Sequence, residues 1–137
     1  MVTVGILVGA FLIAHGVVYG LYVGQAVRLF ELKPGFTWPD GSWALSGLIG
    51  NPGVRSLVAV LFPLVAAGFV VSGIALIARQ SWWAPLASAT AIVATVALLL
   101  LWNGHLYGLD TQGAYAILIN AGIVVAALVL HWPKVAV

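Results

Sequence analysis

"VGILVGAFLIAHGVVYGLYVGQAVRLF", residues 4–30, contains one permanently charged side chain, Arg28, close to its end. A helix that crosses a membrane needs about 20 predominantly apolar residues, and this stretch supplies them. The rest of the chain repeats the pattern. Of its 137 residues, 64% are hydrophobic and 6% are charged, whereas a soluble domain carries about 25% charged residues. So few charges cannot cover a water-facing surface, and lipid is the expected solvent.

Three further apolar runs qualify as spans, over residues 54–78, 82–102 and 112–132. The expected fold is therefore all-α, a single integral-membrane four-helix bundle covering residues 1–137. Met1 to Ala14 has no basic leader and no small-residue cleavage site, so the first run is expected to be a retained span. Four spans place both termini on one side, called side 1 here. The connection from Glu31 to Pro52 and the turn "NGHLYGLD", residues 103–110, lie on side 2.

Trp82, Trp83 and Trp132 would anchor side 1, and Trp38, Trp43, Trp102 and Tyr107 side 2, as amphipathic rings do at the headgroup level. Arg79 and Lys134 on side 1 against Arg28, Lys33 and Arg55 on side 2 do not orient the chain. All three acidic side chains (Glu31, Asp40, Asp110) and the long loop are on side 2, and the termini are expected to be cytoplasmic. In the loop, Asp40 can cap a short helix over Gly41 to Ile49 with Leu45, Leu48 and Ile49 on one face. Such a piece suits the interface plane, or it simply closes the end of the bundle.

Gly16, Gly20 and Gly24 recur every fourth residue in the first span. Ala84, Ala87, Ala91 and Ala94 recur in the third, and Gly68, Ser72 and Ala75 in the second. Small residues let backbones approach closely in lipid, where hydrophobic drive between helices is missing. These positions are expected to form packing seams, within one chain or between two.

His15, Tyr19 and Tyr22 share a neighbouring stripe. At 1.5 Å per residue, His15 lies about 12 Å below side 2 in a core of about 30 Å. Asn120 reaches about the same depth on the fourth span, and Thr95 is close on the third. Polar groups inside a membrane usually face a bundle interior or a cavity. The layer is thus either an interhelical hydrogen-bond network or a pocket lined by His15, Tyr19, Tyr22, Thr95, Tyr115 and Asn120, with Trp38 and Trp43 over it. Asn103, His105, Tyr107 and Asp110 form a helix-to-helix turn, or a rim for a headgroup or quinone ring with Asp110 setting the His105 tautomer.

Much chemistry is excluded. No span carries a carboxylate for proton-coupled transport. The chain has no cysteine, no pair of histidines at metal-ligand spacing on one helix, and no Ser-His-Asp set at one depth. Without a Lys/Arg cluster, nucleic acid is not a partner. His15, His105 and His131 lie at three depths, which argues against a bis-histidine haem. A haem on one axial histidine, or a bound quinone, still fits.

The segment "FLIAHGVVYGLYVG", residues 11–24, with its His15-Gly16 pair, resembles the first span of DoxX-like four-helix membrane proteins of bacteria and archaea. The four-span layout and the long side-2 loop are also similar. The resemblance implies a small integral protein of a prokaryotic plasma membrane, in some members an accessory subunit of quinone-linked oxidoreductases. Two functions are expected from the sequence as a whole. One is a non-catalytic subunit that packs on another membrane protein or its own copy. The other is a protein that takes a quinone, lipid or other amphiphile from the membrane at side 2.

Overall fold

The computed structural model describes residues 2–31, 34, 38–39, 41–106 and 112–135. They form four helices: α1 (Val2–Ala26), α2 (Ser46–Ile77), α3 (Trp83–Leu101) and α4 (Ala114–Val124), the last continued by a π-helical turn, Val125–Val129. No strand occurs among the described residues. α1, α2 and α3 are each long and apolar enough to cross a membrane.

The fourth helix is shorter than the expected span of 112–132. With its π turn it covers Ala114–Val129, about 24 Å at 1.5 Å per residue. Gly113, at φ 91°, sets its start. At its far end, Trp132 N–H bonds back to Ala126 O beyond the π turn, and His131 takes a positive φ of 49°.

The long loop also differs from expectation. The helical piece ahead of residue 51 is one short turn from Ser46, and it runs into α2 across a break at Gly50 (φ 72°, ψ 166°). Only glycine adopts that backbone readily, and Pro52 just beyond suits the first turn of the resumed helix. Asp40 lies outside the described residues, and Ser42 holds this turn. Its Oγ accepts from Leu45 N–H at 3.0 Å and donates to Leu100 O. Trp43 donates from its backbone to Trp102 O at 2.9 Å and from its indole to Leu99 O at 2.7 Å. The last carbonyls of a helix have no partner within it, and here the loop provides one. Leu48, 81% exposed, and Ile49 face outward together, with Leu45 half-buried beneath.

α1 and α2 end alike. Arg28 N–H bonds to Gln25 O and Leu29 N–H to Gly24 O; Arg79 N–H bonds to Leu76 O and Gln80 N–H to Ala75 O. This is the six-to-one, five-to-two pattern that usually has glycine at the left-handed position. Arginine fills it here, at φ 63° and 58°. A cation at a helix C-terminus is favoured by the helix dipole.

α1 packs closely on α2, α2 on α3 and α3 on α4, while α1 and α4 stand further apart. The tightest approach joins Gly9 to Gly73. A methyl group added at Gly73 would lie 2.5 Å from Gly9 O, and one at Gly9 would lie 2.7 Å from Gly73 O. Gly16 meets Ala66 O, and Gly68 meets Thr90 across the α2/α3 seam. Ala87, Ala91 and Ala94 are wholly buried; Ser72 is too, its hydroxyl bonded to Gly68 O at 2.7 Å.

Two glycines leave the expected seam. Gly20 is exposed, with nothing within 4 Å of an added methyl, and Gly24 is covered by the ring of Phe30 from its own segment. Steps of four residues advance about 40° around a helix, so the stripe winds off the α2 contact after Gly16.

Candidate functional site

α1 presents Phe11, His15, Tyr19 and Tyr22 at three- and four-residue spacing, which brings them onto one face. Their rings form a column. Phe11 stacks on His15 at 6.1 Å between centroids, His15 meets Tyr19 at 5.3 Å, Tyr19 meets Tyr22 at 5.7 Å, and Tyr22 meets Trp38 at 4.8 Å. From α2, Phe69 packs on His15 at 4.7 Å and on Tyr19 at 5.5 Å. Phe62 packs on Tyr19 at 5.4 Å and on Trp38 at 5.4 Å.

The polar atoms of this column converge on Asn120 of α4, which is 0% exposed. His15 Nε2 donates to Asn120 Oδ1 at 2.8 Å. Asn120 Nδ2 donates to the Tyr19 hydroxyl at 2.9 Å and to Thr95 Oγ1 of α3 at 3.1 Å. Reversing the amide would serve the same partners, with Tyr19 and Thr95 donating instead. The node joins α1, α3 and α4, and α2 encloses it with phenylalanines.

His15, Tyr19, Thr95 and Asn120 are thus brought together, and their polar atoms serve one another. His15, Tyr19 and Asn120 line none of the four principal cavities among the described residues. His15 Nε2, a nitrogen that could ligate a haem iron, is engaged by Asn120. Tyr22 and Trp38 extend the column as packing groups toward the loop end.

Other expected lining residues lie elsewhere. Tyr115 is 67% exposed, because five residues before Asn120 is about 140° around the helix. Trp43 is 63% exposed, its indole held by Leu99 O, and it lines none of those four cavities among the described residues. In the 103–110 turn, Asn103 N–H bonds to Gln112 Oε1, His105 N–H to Asn103 Oδ1, and the Trp102 indole to His105 O. These are the local bonds of a helix-to-helix turn. Tyr107 and Asp110 lie outside the described residues.

Sequence reasoning missed several groups. Phe62 and Phe69 stand seven apart, a spacing that puts them on one face of α2, but nothing marks a phenylalanine in an apolar helix. Gln25 and Trp38 are buried, and neither Gln25 Nε2 nor Trp38 Nε1 has an acceptor among the described residues.

One opening lies on the α1/α4 side. Where α1 and α4 stand apart, a groove of about 390 Å³ is lined by Leu7, Phe11 and Leu12 of α1 with Ile119, Gly122 and Ile123 of α4. Its lining is almost entirely apolar. Comparison with known protein families, curated proteins and solved structures finds no match to this chain.

Proposed function

We propose that the chain is a non-catalytic integral membrane subunit, with all four helices in the bilayer, that packs against a further membrane helix along its open α1/α4 side. The α1/α4 groove carries this reading. Gly122 stands in its wall, and a methyl group added there would meet no atom within 4 Å. In lipid, association depends on close van der Waals contact at small residues, and a grooved apolar side with a glycine suits a partner helix. The mid-bundle layer supports the same reading, because the polar atoms of His15, Tyr19 and Thr95 are committed to Asn120. The resemblance of the first helix to DoxX-like proteins, some of them accessory subunits in prokaryotic plasma membranes, agrees with it.

A second reading places the hydrocarbon tail of a quinone or lipid in the groove. Its support is the same apolar lining, which ends at Phe11, the ring stacked on His15.

The two readings separate on assembly. In mild detergent, size-exclusion chromatography with light scattering should find a protein mass above the 14.3 kDa of one chain. Gly122→Trp should return it to one chain without loss of helical signal. A wild-type protein that is strictly monomeric and carries a stoichiometric quinone or lipid by mass spectrometry would favour the second reading and refute the first.

A further inference from the structure

At the loop end of the bundle, a cavity of about 320 Å³ opens between the end of α1 and the part of α2 that follows the Gly50 break. Two arginines line it, Arg28 just beyond the end of α1 and Arg55 of α2.

Arg28 is fixed by the backbone turn that ends α1. It donates to Trp38 O at 3.4 Å and to Pro39 O at 3.2 Å. These bonds to neutral carbonyls hold the exposed Arg28 side chain in place without themselves neutralising its charge. Arg55 is half-buried and has no hydrogen-bond or ion-pair partner among the described residues. Taking a cation partly out of water without an anion is unfavourable, and two cations on one cavity repel each other. An anion between them reverses both effects.

Guanidinium groups fork onto phosphate oxygens through paired N–H bonds. Ala26, Val27, Pro52 and Ala59 give the lining an apolar share, Ser56 adds a hydroxyl, and the cavity lies where two membrane-length helices meet the loop. A phosphate arriving with acyl chains attached suits such walls better than a free, fully hydrated one. We propose that this cavity binds the phosphate of an anionic phospholipid headgroup between Arg28 and Arg55.

The test uses the full chain in detergent micelles, with phosphatidylglycerol and phosphatidylcholine added in turn and bound lipid counted by native mass spectrometry. Phosphatidylglycerol should be preferred, because choline brings a cation next to the arginines. Arg55→Gln should weaken phosphatidylglycerol binding by about five-fold, the usual effect of one basic residue on anionic lipid. Phosphatidylcholine binding should not change. Arg55→Lys should lose less, since it keeps the charge without the fork. Arg28→Gln also removes the carbonyl bonds, so Arg55 is the deciding position, with circular dichroism confirming the fold of each variant. Equal phosphatidylglycerol binding by wild type and a folded Arg55→Gln would overturn the proposal. So would displacement of the lipid by inorganic phosphate at constant ionic strength, which would assign the site to a soluble phosphate.

Discussion

Asn120→Leu tests whether the buried polar node holds the bundle together. Leucine has the same branching and number of side-chain heavy atoms as asparagine, though larger terminal groups, and is a better helix former, so the change removes hydrogen bonds without opening a cavity. Three contacts are lost: to His15 at 2.8 Å, to Tyr19 at 2.9 Å and to Thr95 at 3.1 Å. Hydrogen bonds between membrane helices average about 0.6 kcal/mol and reach about 1.7 kcal/mol. Three average bonds therefore amount to about 2 kcal/mol. Thr95 can recover part of its share by turning to a carbonyl of its own helix, as Thr90 does with Leu86 O at 2.8 Å. His15 and Tyr19 have ring groups fixed in the aromatic column and cannot do so.

The expected loss for Asn120→Leu is therefore about 1–2 kcal/mol. His15→Leu removes one of the three bonds and should cost about 1 kcal/mol. His15→Asn should cost less than His15→Leu, because an amide can restore one donor. The assay is unfolding in mixed dodecylmaltoside and dodecyl sulfate micelles, followed by far-ultraviolet circular dichroism. A double-mutant cycle on His15→Leu and Asn120→Leu isolates the pair and should give a coupling of about 0.6 kcal/mol. A coupling indistinguishable from zero, or an Asn120→Leu cheaper than His15→Leu, would refute the account of Asn120 as the hub.

The helix seams give a paired prediction. Gly73→Ala should destabilise by about 1–3 kcal/mol through overpacking, because its methyl would sit 2.5 Å from Gly9 O. Gly20→Ala, with open space around it, should be neutral or slightly stabilising through helix propensity; the same micelle titration compares them. At the loop, Ser42→Ala removes the bonds to Leu100 O and from Leu45 N–H. It should cost about 1 kcal/mol and speed hydrogen exchange at the Trp43 and Leu45 amides ahead of those in α3. Unchanged exchange there would mean that the backbone and indole bonds of Trp43 hold the loop without Ser42.

Depth in the bundle was legible from the sequence, and direction around each helix was much less so. Depth follows from a constant rise per residue, so His15, Thr95 and Asn120 could be placed in one layer by counting from the helix ends. Direction accumulates error, since each residue adds about 100°. A four-residue repeat drifts off its face, which is why Gly16 packs and Gly20 does not. Five residues separate Tyr115 from Asn120, and that alone turns the tyrosine outward. The Gly9–Gly73 contact depends on where α1 crosses α2, a relation between distant segments that no local spacing encodes. The same holds for Ser42 and Trp43, whose partners are backbone carbonyls of α3 and leave no trace in side-chain pattern. The length of α4 depended on the positive φ at Gly113 and on the π turn, neither of which the apolar run reveals.

The open α1/α4 side and the Asn120 node are linked through the order of helix packing. In the bilayer setting proposed for all four helices, lipid would supply no hydrophobic force to close the fourth side of a bundle whose other three sides already pack. Along α1, His15 and Tyr19 are tied to α4 by Asn120, while Leu7, Phe11 and Leu12 on the other side of His15 line the groove. The node therefore marks where closure ends and the groove begins. On α4, Gly122 and Asn120 point about 160° apart around the helix, so one residue can serve the outer surface and the other the interior. Assembly and stability should then respond to different substitutions. Gly122→Trp should dissociate the assembly in size-exclusion chromatography with little change in the micelle unfolding midpoint, whereas Asn120→Leu should lower the midpoint while the folded protein still assembles. If both variants moved both readouts together, the groove would be part of the bundle's own core, and its role as a docking surface would be wrong.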